Sequence, residues 1–196
     1  MPAMPSSAKA FTTSSPYRLF ARRVLLPWVL QRERPTGQGL EIGAGSGAMT
    51  AQLLAAFPGL RMIATDVDPD MVKAAQRTVA PFGERAKAER ADAAALPFQD
   101  GSFDFVLSAA MLHHVVAWEE ALAEAVRVLR PGGRLIGYDF LDTAPIRLLH
   151  FGDKHDTRLV GRDQLEAELD RLQLTGVRTR PGAGGLVIRF TASKAA

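Results

Sequence analysis

The sequence predicts an α/β protein built around a doubly wound, mostly parallel β-sheet with an antiparallel hairpin at its C-terminal end. Two observations support this prediction. Short apolar runs alternate with helix-like segments, and they predict strands near residues 38–43, 61–66, 86–91, 103–108 and 133–139. Near the end, residues 175–180 and 186–192 flank the glycine-rich stretch 181–185, which is typical of a hairpin. We therefore expect seven strands in one sheet.

Length and composition indicate one globular domain. The chain has 196 residues, of which 47% are hydrophobic, and this suffices for a single core. Cysteine is absent, which excludes disulfides, thiolate zinc sites and a cysteine nucleophile. The apolar run 24–30 is too short for a membrane span, so we expect a cytoplasmic protein. We expect a disordered N-terminus at 1–16 and a single domain at 17–196.

A basic segment precedes the first strand. Residues 1–40 hold six basic side chains and one acid, a local excess of five positive charges. We expect a helix from Tyr17 to Glu33 that packs an apolar side on the sheet and leaves its arginines in solvent; the apolar side consists of Leu19, Val24, Leu26 and Leu30. Two other interpretations stay open, because a basic amphipathic helix can also lie on a membrane surface or cover a binding site as a lid.

Three alternating glycines follow the first predicted strand, and an acid precedes them. The motif is Glu41-x-Gly43-x-Gly45-x-Gly47, and a second acid, Asp66, ends the next apolar run. Glycines allow a ligand to approach the backbone closely, because they tolerate positive φ and lack a Cβ. An acid at the tip of the second strand can accept hydrogen bonds from a ribose diol. The pattern therefore predicts a nucleotide-like cofactor, and the glycines also fit a relaxed dinucleotide fingerprint.

The glycine motif resembles motif I of the class I S-adenosylmethionine-dependent methyltransferases. Two later segments are similar to the same family: Leu112-His113-His114-Val115, and the run Arg-Val-Leu-Arg-Pro-Gly-Gly-Arg-Leu at 127–135. A carboxylate at Glu41 suits the ammonium group of S-adenosyl-L-methionine, whereas it would repel the phosphates of a dinucleotide. The resemblance implies a Rossmann-like fold and a methyltransferase of the small-molecule or lipid type.

The resemblance also implies which residues contact S-adenosyl-L-methionine. Asp66 would bind the ribose, Asp92 would bind the adenine amino group, and the amide of Ala93 would meet the adenine ring. The full expected set is Glu41, Gly43, Gly45, Gly47, Asp66, Val67, Asp92, Ala93 and Ser108. On this interpretation the domain consists of an N-terminal helix, a cofactor-binding core, a substrate-side insert, and a C-terminal helix with the hairpin, at 17–36, 37–140, 141–160 and 161–196.

Histidines in the insert are the candidates for catalysis. We predict His150 and His155 as catalytic residues, with His150 as the general base and Asp153 orienting it, because ligands bind beyond the carboxyl ends of parallel strands. His113 and His114 follow the fourth strand and can equally cap backbone groups. The acids and histidines here have no fixed ligand spacing, so we predict no metal site.

Absent motifs narrow the methyl acceptor. After the fourth strand the chain has Ser-Ala-Ala-Met at 108–111 and no Asn-Pro-Pro-Tyr type of motif, which argues against nucleobase and amide nitrogens. No ordered basic face or recognition module indicates nucleic acid. We expect a small-molecule or lipid-like acceptor, methylated at a hydroxyl oxygen. The alternatives are an amine or carbon acceptor such as a phospholipid headgroup, a non-catalytic partner subunit that binds the cofactor, and a nicotinamide oxidoreductase. Peripheral membrane contact is not favoured, and the oligomeric state stays open.

Overall fold

One seven-stranded sheet forms the centre of the protein. The structure is a computed structural model that describes residues 14–149 and 157–196. The strand order is β3-β2-β1-β4-β5-β7-β6. The strands are β1 (Gln38–Ile42), β2 (Arg61–Asp66), β3 (Ala86–Arg90), β4 (Phe103–Ala109), β5 (Leu129–Phe140), β6 (Thr175–Gly182) and β7 (Val187–Ser193). The first five are parallel, and β7 is antiparallel to both β5 and β6. The predicted fold class is confirmed.

Helices connect the strands. They are α1 (Ser15–Phe20), α2 (Leu26–Leu30), α3 (Ala48–Ala56), α4 (Pro69–Val79), α5 (Trp118–Val128), α6 (Ala144–Leu149) and α7 (Arg162–Arg171). A π-helical turn, Ala21–Leu25, joins α1 to α2. Short 3-10 turns occupy Ala80–Arg85, Leu112–His114 and Ala183–Gly185. No described helix is long and apolar enough to cross a membrane.

Apolar side chains are buried on both faces of the sheet. On one face, α5 and α7 pack on a core that includes Phe103, Trp118 and Phe190. On the other, α3 and the segment from Ala21 to Leu30 pack on Phe105 and Tyr138. Because both faces are covered, only the ends of the strands are left for ligand contacts. The loops that follow several strands meet at the carboxyl ends of the parallel strands.

The N-terminal segment packs through a different set of residues from the predicted one. Leu26 and Leu30 are buried as expected, but Leu19 and Val24 are each 50% exposed, and Ala21 and Val29 are buried instead. The prediction for Leu19 and Val24 is therefore wrong. The physical reason is the π-helical turn, which places more residues in a turn than an α-helix and so rotates the buried side.

The fifth strand begins earlier than the predicted residue 133 and contains a bulge. Helix α5 ends at Val128 and β5 begins at once, with Leu129 opposite Phe103. Arg134 then lies opposite Phe105, so five residues of β5 pass two of β4. Residues 130–133 have no partner on β4, and the pairing resumes at Arg134.

Candidate functional site

The loop between β1 and α3 leaves open space beside Gly45. The φ angles of Gly43, Gly45 and Gly47 are 62°, 53° and 73°, in the left-handed region that favours glycine. A Cβ on Gly43 would lie 2.6 Å from the Met111 Cβ, and one on Gly47 would lie 3.1 Å from the Ala75 Cα. A Cβ on Gly45 would meet no atom within 4 Å. Packing thus accounts for the outer two glycines, whereas Gly45 faces space that a ligand can fill.

Asp66 connects this loop to the end of β2. The backbone N–H of Gly45 donates to Asp66 Oδ2 at 2.8 Å, and the N–H of Asp68 donates to Asp66 Oδ1 at 2.9 Å. Burial raises the pKa of Asp66. Each carboxylate oxygen has a second lone pair, so Asp66 can still accept hydrogen bonds from a diol.

Glu41 lies at the base of the same loop. Its side chain is buried, and the Thr50 hydroxyl donates a hydrogen bond to its Oε2. Burial raises the pKa of Glu41 to about 7, and the nearby charge of Asp66 acts in the same direction. Glu41 therefore exchanges a proton near neutral pH, and a cation placed beside it would favour the ionised form.

The other predicted cofactor residues lie at or just beyond the carboxyl ends of β2, β3 and β4. Asp92 is exposed, with Oδ1 accepting from the Ala94 N–H at 3.0 Å, while Ala93 is buried. Val67 is half-buried, and its carbonyl accepts from Arg90 Nε at 3.0 Å. Ser108 is fully buried, and within the described part of the chain its hydroxyl has no hydrogen-bond partner. All nine predicted positions thus come to one edge of the sheet.

A buried histidine and aspartate pair sits at the same edge. His113 Nδ1 lies 2.5 Å from Asp139 Oδ1, and both side chains are almost completely buried. Asp139 also accepts from the backbone N–H of Leu112 at 2.7 Å and of Phe140 at 2.7 Å. The carboxylate therefore fixes both the ring of His113 and the turn that holds it. The sequence indicated His113 as a candidate, but its contact with Asp139 could not be predicted, because Asp139 is 26 residues away on another strand.

Ala110 is a second feature of the edge that the sequence did not predict. It directly follows β4, with a φ of 52° that non-glycine residues rarely adopt. Its N–H donates to the Tyr138 carbonyl at 2.8 Å, which holds the strained residue in place. Such strain costs on the order of 1–2 kcal/mol and is concentrated at functional sites. Met111, the next residue, is the one packed on Gly43.

The predicted catalytic histidines lie outside the described residues. His150, Asp153 and His155 fall in residues 150–156, and their roles stay predictions. In the described part of the insert, Asp142 forms an ion pair with Arg147 at 2.5 Å, which holds the pKa of Asp142 below its usual range. Across residues 14–149 and 157–196, no group of three histidines or acids is gathered as a metal site.

Comparison with known proteins identifies the family. Residues 40–137, half of the chain, match the methyltransferase domain family. A demethylmenaquinone methyltransferase from Thermus thermophilus is 36% identical over 111 residues, which cover 57% of this chain and 50% of that protein. A ubiquinone/menaquinone biosynthesis C-methyltransferase from Hahella chejuensis is 35% identical over 104 residues, which cover 52% of this chain and 42% of that protein.

The fold agrees with this match. A solved structure of a Pyrococcus horikoshii protein superposes with a TM-score of 0.80 at 18% identity, covering 98% of this chain and 100% of that one. Identity this low shows the fold alone. The chain spans about half the length of the two curated relatives above. The matched residues include the glycine loop, Asp66, Asp92 and the bulge of β5. The chain therefore belongs to the methyltransferase domain family, with the class I Rossmann-like fold.

Proposed function

We propose that this chain transfers a methyl group from S-adenosyl-L-methionine to a small-molecule acceptor. The observation that supports the proposal most is Gly45, whose left-handed backbone faces open space while its N–H is held by Asp66. A strand-end acid and an open glycine side by side suit a ribose with its attached amino-acid chain. When bound, the cofactor supplies a methyl carbon already activated by the sulfonium charge.

The residues present fit this cofactor better than a dinucleotide. Glu41 and Asp66 place two carboxyl groups at the loop, and both have raised pKa values because they are buried. Pyrophosphate would face like charge there, whereas an ammonium or sulfonium group would be attracted. We propose that Glu41 orients the ammonium end and that Asp66 accepts from the ribose. Asp92, Ala93 and Val67 would surround the adenine, and the buried Ser108 hydroxyl would gain a partner at the cofactor's centre.

For the acceptor, we propose a quinone-type small molecule in its reduced, hydroxyl-bearing form, methylated at a ring carbon. Two relatives are named as methyltransferases of quinone biosynthesis, and one of these names specifies carbon. These names give no support to the hydroxyl-oxygen acceptor expected from the sequence. A ring carbon becomes nucleophilic when a neighbouring phenol loses its proton, so this reaction needs a base. The phenol proton would go to the base, and the ring carbon would take the methyl group as the carbon–sulfur bond breaks, with neutral S-adenosylhomocysteine as the leaving group. The ring proton would then pass to water, which restores the aromatic ring.

We propose His113 as the candidate for that base among the described residues. Asp139 fixes its ring at 2.5 Å beside the carboxyl ends of β4 and β5. A carboxylate in this position holds the imidazole ring in one orientation. His150 remains the second candidate from the sequence. The variants His113→Ala and His150→Ala should therefore be compared. Removal of the residue that acts as the base should lower turnover by about 10²–10⁴-fold without changing cofactor affinity.

Calorimetry and a labelled-methyl assay test the proposal. The wild type should bind S-adenosylmethionine and S-adenosylhomocysteine but not NAD. Asp66→Ala should weaken cofactor binding, because each charge-assisted hydrogen bond that it removes contributes on the order of 1.5–3 kcal/mol. Reduced naphthoquinones with an unsubstituted ring carbon then serve as acceptors, and product analysis gives the methylated atom. Binding of NAD in place of S-adenosylmethionine would overturn the proposed cofactor, and methylation of oxygen would overturn the proposed acceptor atom.

A further inference from the structure

A buried arginine near the carboxyl edge has no acidic partner. The Arg189 side chain on β7 is 5% exposed, and its Nη1 donates to the Trp28 carbonyl at 2.7 Å. Its Cζ lies 5.5 Å from the centre of the Trp28 ring. No carboxylate among the described residues forms an ion pair with it. A guanidinium has five donors, so this contact with Trp28 leaves most of them for another acceptor.

A second arginine lies directly beside the first. Arg180 on β6 is the register partner of Arg189 on β7, and opposite residues in an antiparallel pair point to the same face. Like charges in this arrangement destabilise a sheet. Burial, and after it the charge of Arg180, lowers the pKa of Arg189. Arg180 is exposed whereas Arg189 is buried, and an anion beside both guanidinium groups would offset their repulsion.

The sheet register places this pair in line with the proposed reaction site. Ala109 pairs with Tyr138, Tyr138 pairs with Arg189, and Arg189 pairs with Arg180. Neighbouring strands are about 4.8 Å apart, so the Arg189 backbone lies roughly 10 Å from Ala109 at the end of β4. The Trp28 ring packs edge-on against Tyr138 with 5.7 Å between centroids, and so it forms an aromatic wall along the same row.

We propose that Arg189, with Arg180 beside it, binds an anionic oxygen of the methyl acceptor beneath the N-terminal segment. The inference rests on the proposed function, and it adds the substrate class: an aromatic acceptor with a phenolate, carboxylate or phosphate group. A purely structural Arg189 would need only its contact with Trp28. It would not require Arg180 on the same face.

Three naphthalene probes test the inference in calorimetric titrations of the full chain with S-adenosylhomocysteine present. These are 1-naphthyl phosphate, 1-naphthoate and 1-naphthol, which share the ring and differ in charge at pH 7. We expect the two anions to bind at least about tenfold more tightly than 1-naphthol, as charge-assisted hydrogen bonds require. The tighter of the two anions then shows whether the site prefers phosphate or carboxylate.

Variants assign the preference to the arginines. Arg189→Met should abolish the preference for anions, and Arg180→Gln should reduce it about threefold or more. Arg178→Gln is the matched control, because Arg178 points to the same face two residues farther from the carboxyl edge and should leave the preference intact. If Arg189→Met does not fold, Arg180→Gln decides. The inference is overturned if the wild type shows no preference for anions. It is also overturned if Arg189→Met or Arg180→Gln folds and keeps the full preference for anions. The same titrations measure the binding of S-adenosylhomocysteine. If the wild type does not bind S-adenosylhomocysteine, the proposed function itself is contradicted.

Discussion

At the residue scale, Gly45 combines a strained backbone angle with open space, and the two effects can be separated. Gly45→Ala should cost roughly 1–2 kcal/mol of stability, because alanine disfavours the left-handed region. It should also weaken S-adenosylmethionine binding by at least about tenfold, since the new methyl group would occupy the ligand's place. Urea denaturation and calorimetry measure the two quantities.

Gly184 supplies the matched control for this variant. It also has a positive φ, of 66°, and a Cβ there would meet nothing within 4 Å, but it lies in the β6–β7 turn. Gly184→Ala should lose similar stability and keep its cofactor affinity. If both variants bind the cofactor normally, the open space beside Gly45 is not the binding site.

The buried carboxyl of Glu41 makes stability depend on pH. Its folded pKa, about 7, lies above its ordinary value of 4.5 because burial disfavours the charge. Between these values the native protein keeps a proton that the unfolded chain loses, so this contribution is fully present below about pH 4.5 and is lost as pH rises through about 7. Relative to Glu41→Gln, the wild type should lose on the order of 3 kcal/mol across this window.

Urea titrations at several pH values, without cofactor, measure this difference. Asp66 also has a raised pKa but is present in both proteins, so the difference between them reports Glu41 together with its coupling to Asp66. If the free energy of unfolding depends on pH in the same way in the wild type and in Glu41→Gln, Glu41 is ionised in the folded protein across this pH window.

The sequence predicts the position of a site residue when that residue directly follows a predicted strand. Glu41, the glycines and Asp66 follow predicted strands directly, and parallel strands end at one edge, so their meeting could be predicted. Asp139 could not be assigned to His113 in this way. Their contact depends on the register of β4 against β5, and a one-residue change in register would turn Asp139 to the other face.

At the element scale, the bulge of β5 makes Gly133 intolerant of a side chain. A Cβ there would lie 2.8 Å from the Arg130 carbonyl oxygen and 3.2 Å from that of Asp104. Because both neighbours are backbone, Gly133→Ala should destabilise the protein by about 1–3 kcal/mol. Gly59→Ala, at a glycine with open space and no positive φ, should stay within about 0.5 kcal/mol of wild type. Equal stability of the two variants in urea would contradict the bulge geometry.

Element positions were easier to predict than local irregularities within them. Short apolar runs between helix-like segments located β1 to β5, and the glycine-rich turn located β6 and β7. The π-helical turn at Ala21–Leu25 and the bulge of β5 left no comparable signal. Helical spacing assigned Leu19 and Val24 to the buried side on the assumption of an unbroken α-helix, and this assumption failed within one turn.

At the scale of the whole molecule, ligand binding should stabilise the fold as a unit. The expected cofactor contacts lie along the carboxyl edge from β1 to β4, so S-adenosylhomocysteine should bind only the folded chain. At a concentration of 100 times its Kd it should raise the free energy of unfolding by about 2.7 kcal/mol. The urea midpoint should rise with an unchanged slope. At the same ligand concentration, Asp66→Ala should show a smaller increase, and equal increases would place the ligand elsewhere.

The contact between Trp28 and Arg189 joins residues 161 positions apart, and this separation has a consequence for synthesis. Ribosomes add roughly 5–20 residues per second, so the N-terminal segment is made about 8–30 s before its anchor on β7. Its second tie, from Glu33 to Arg134, also waits for 101 residues. During that interval the segment lacks its contact with β7, although Phe105 and Tyr138, on which it also packs, are made earlier. A nascent chain that ends before β7 therefore has the N-terminal segment but lacks the contact between Trp28 and Arg189.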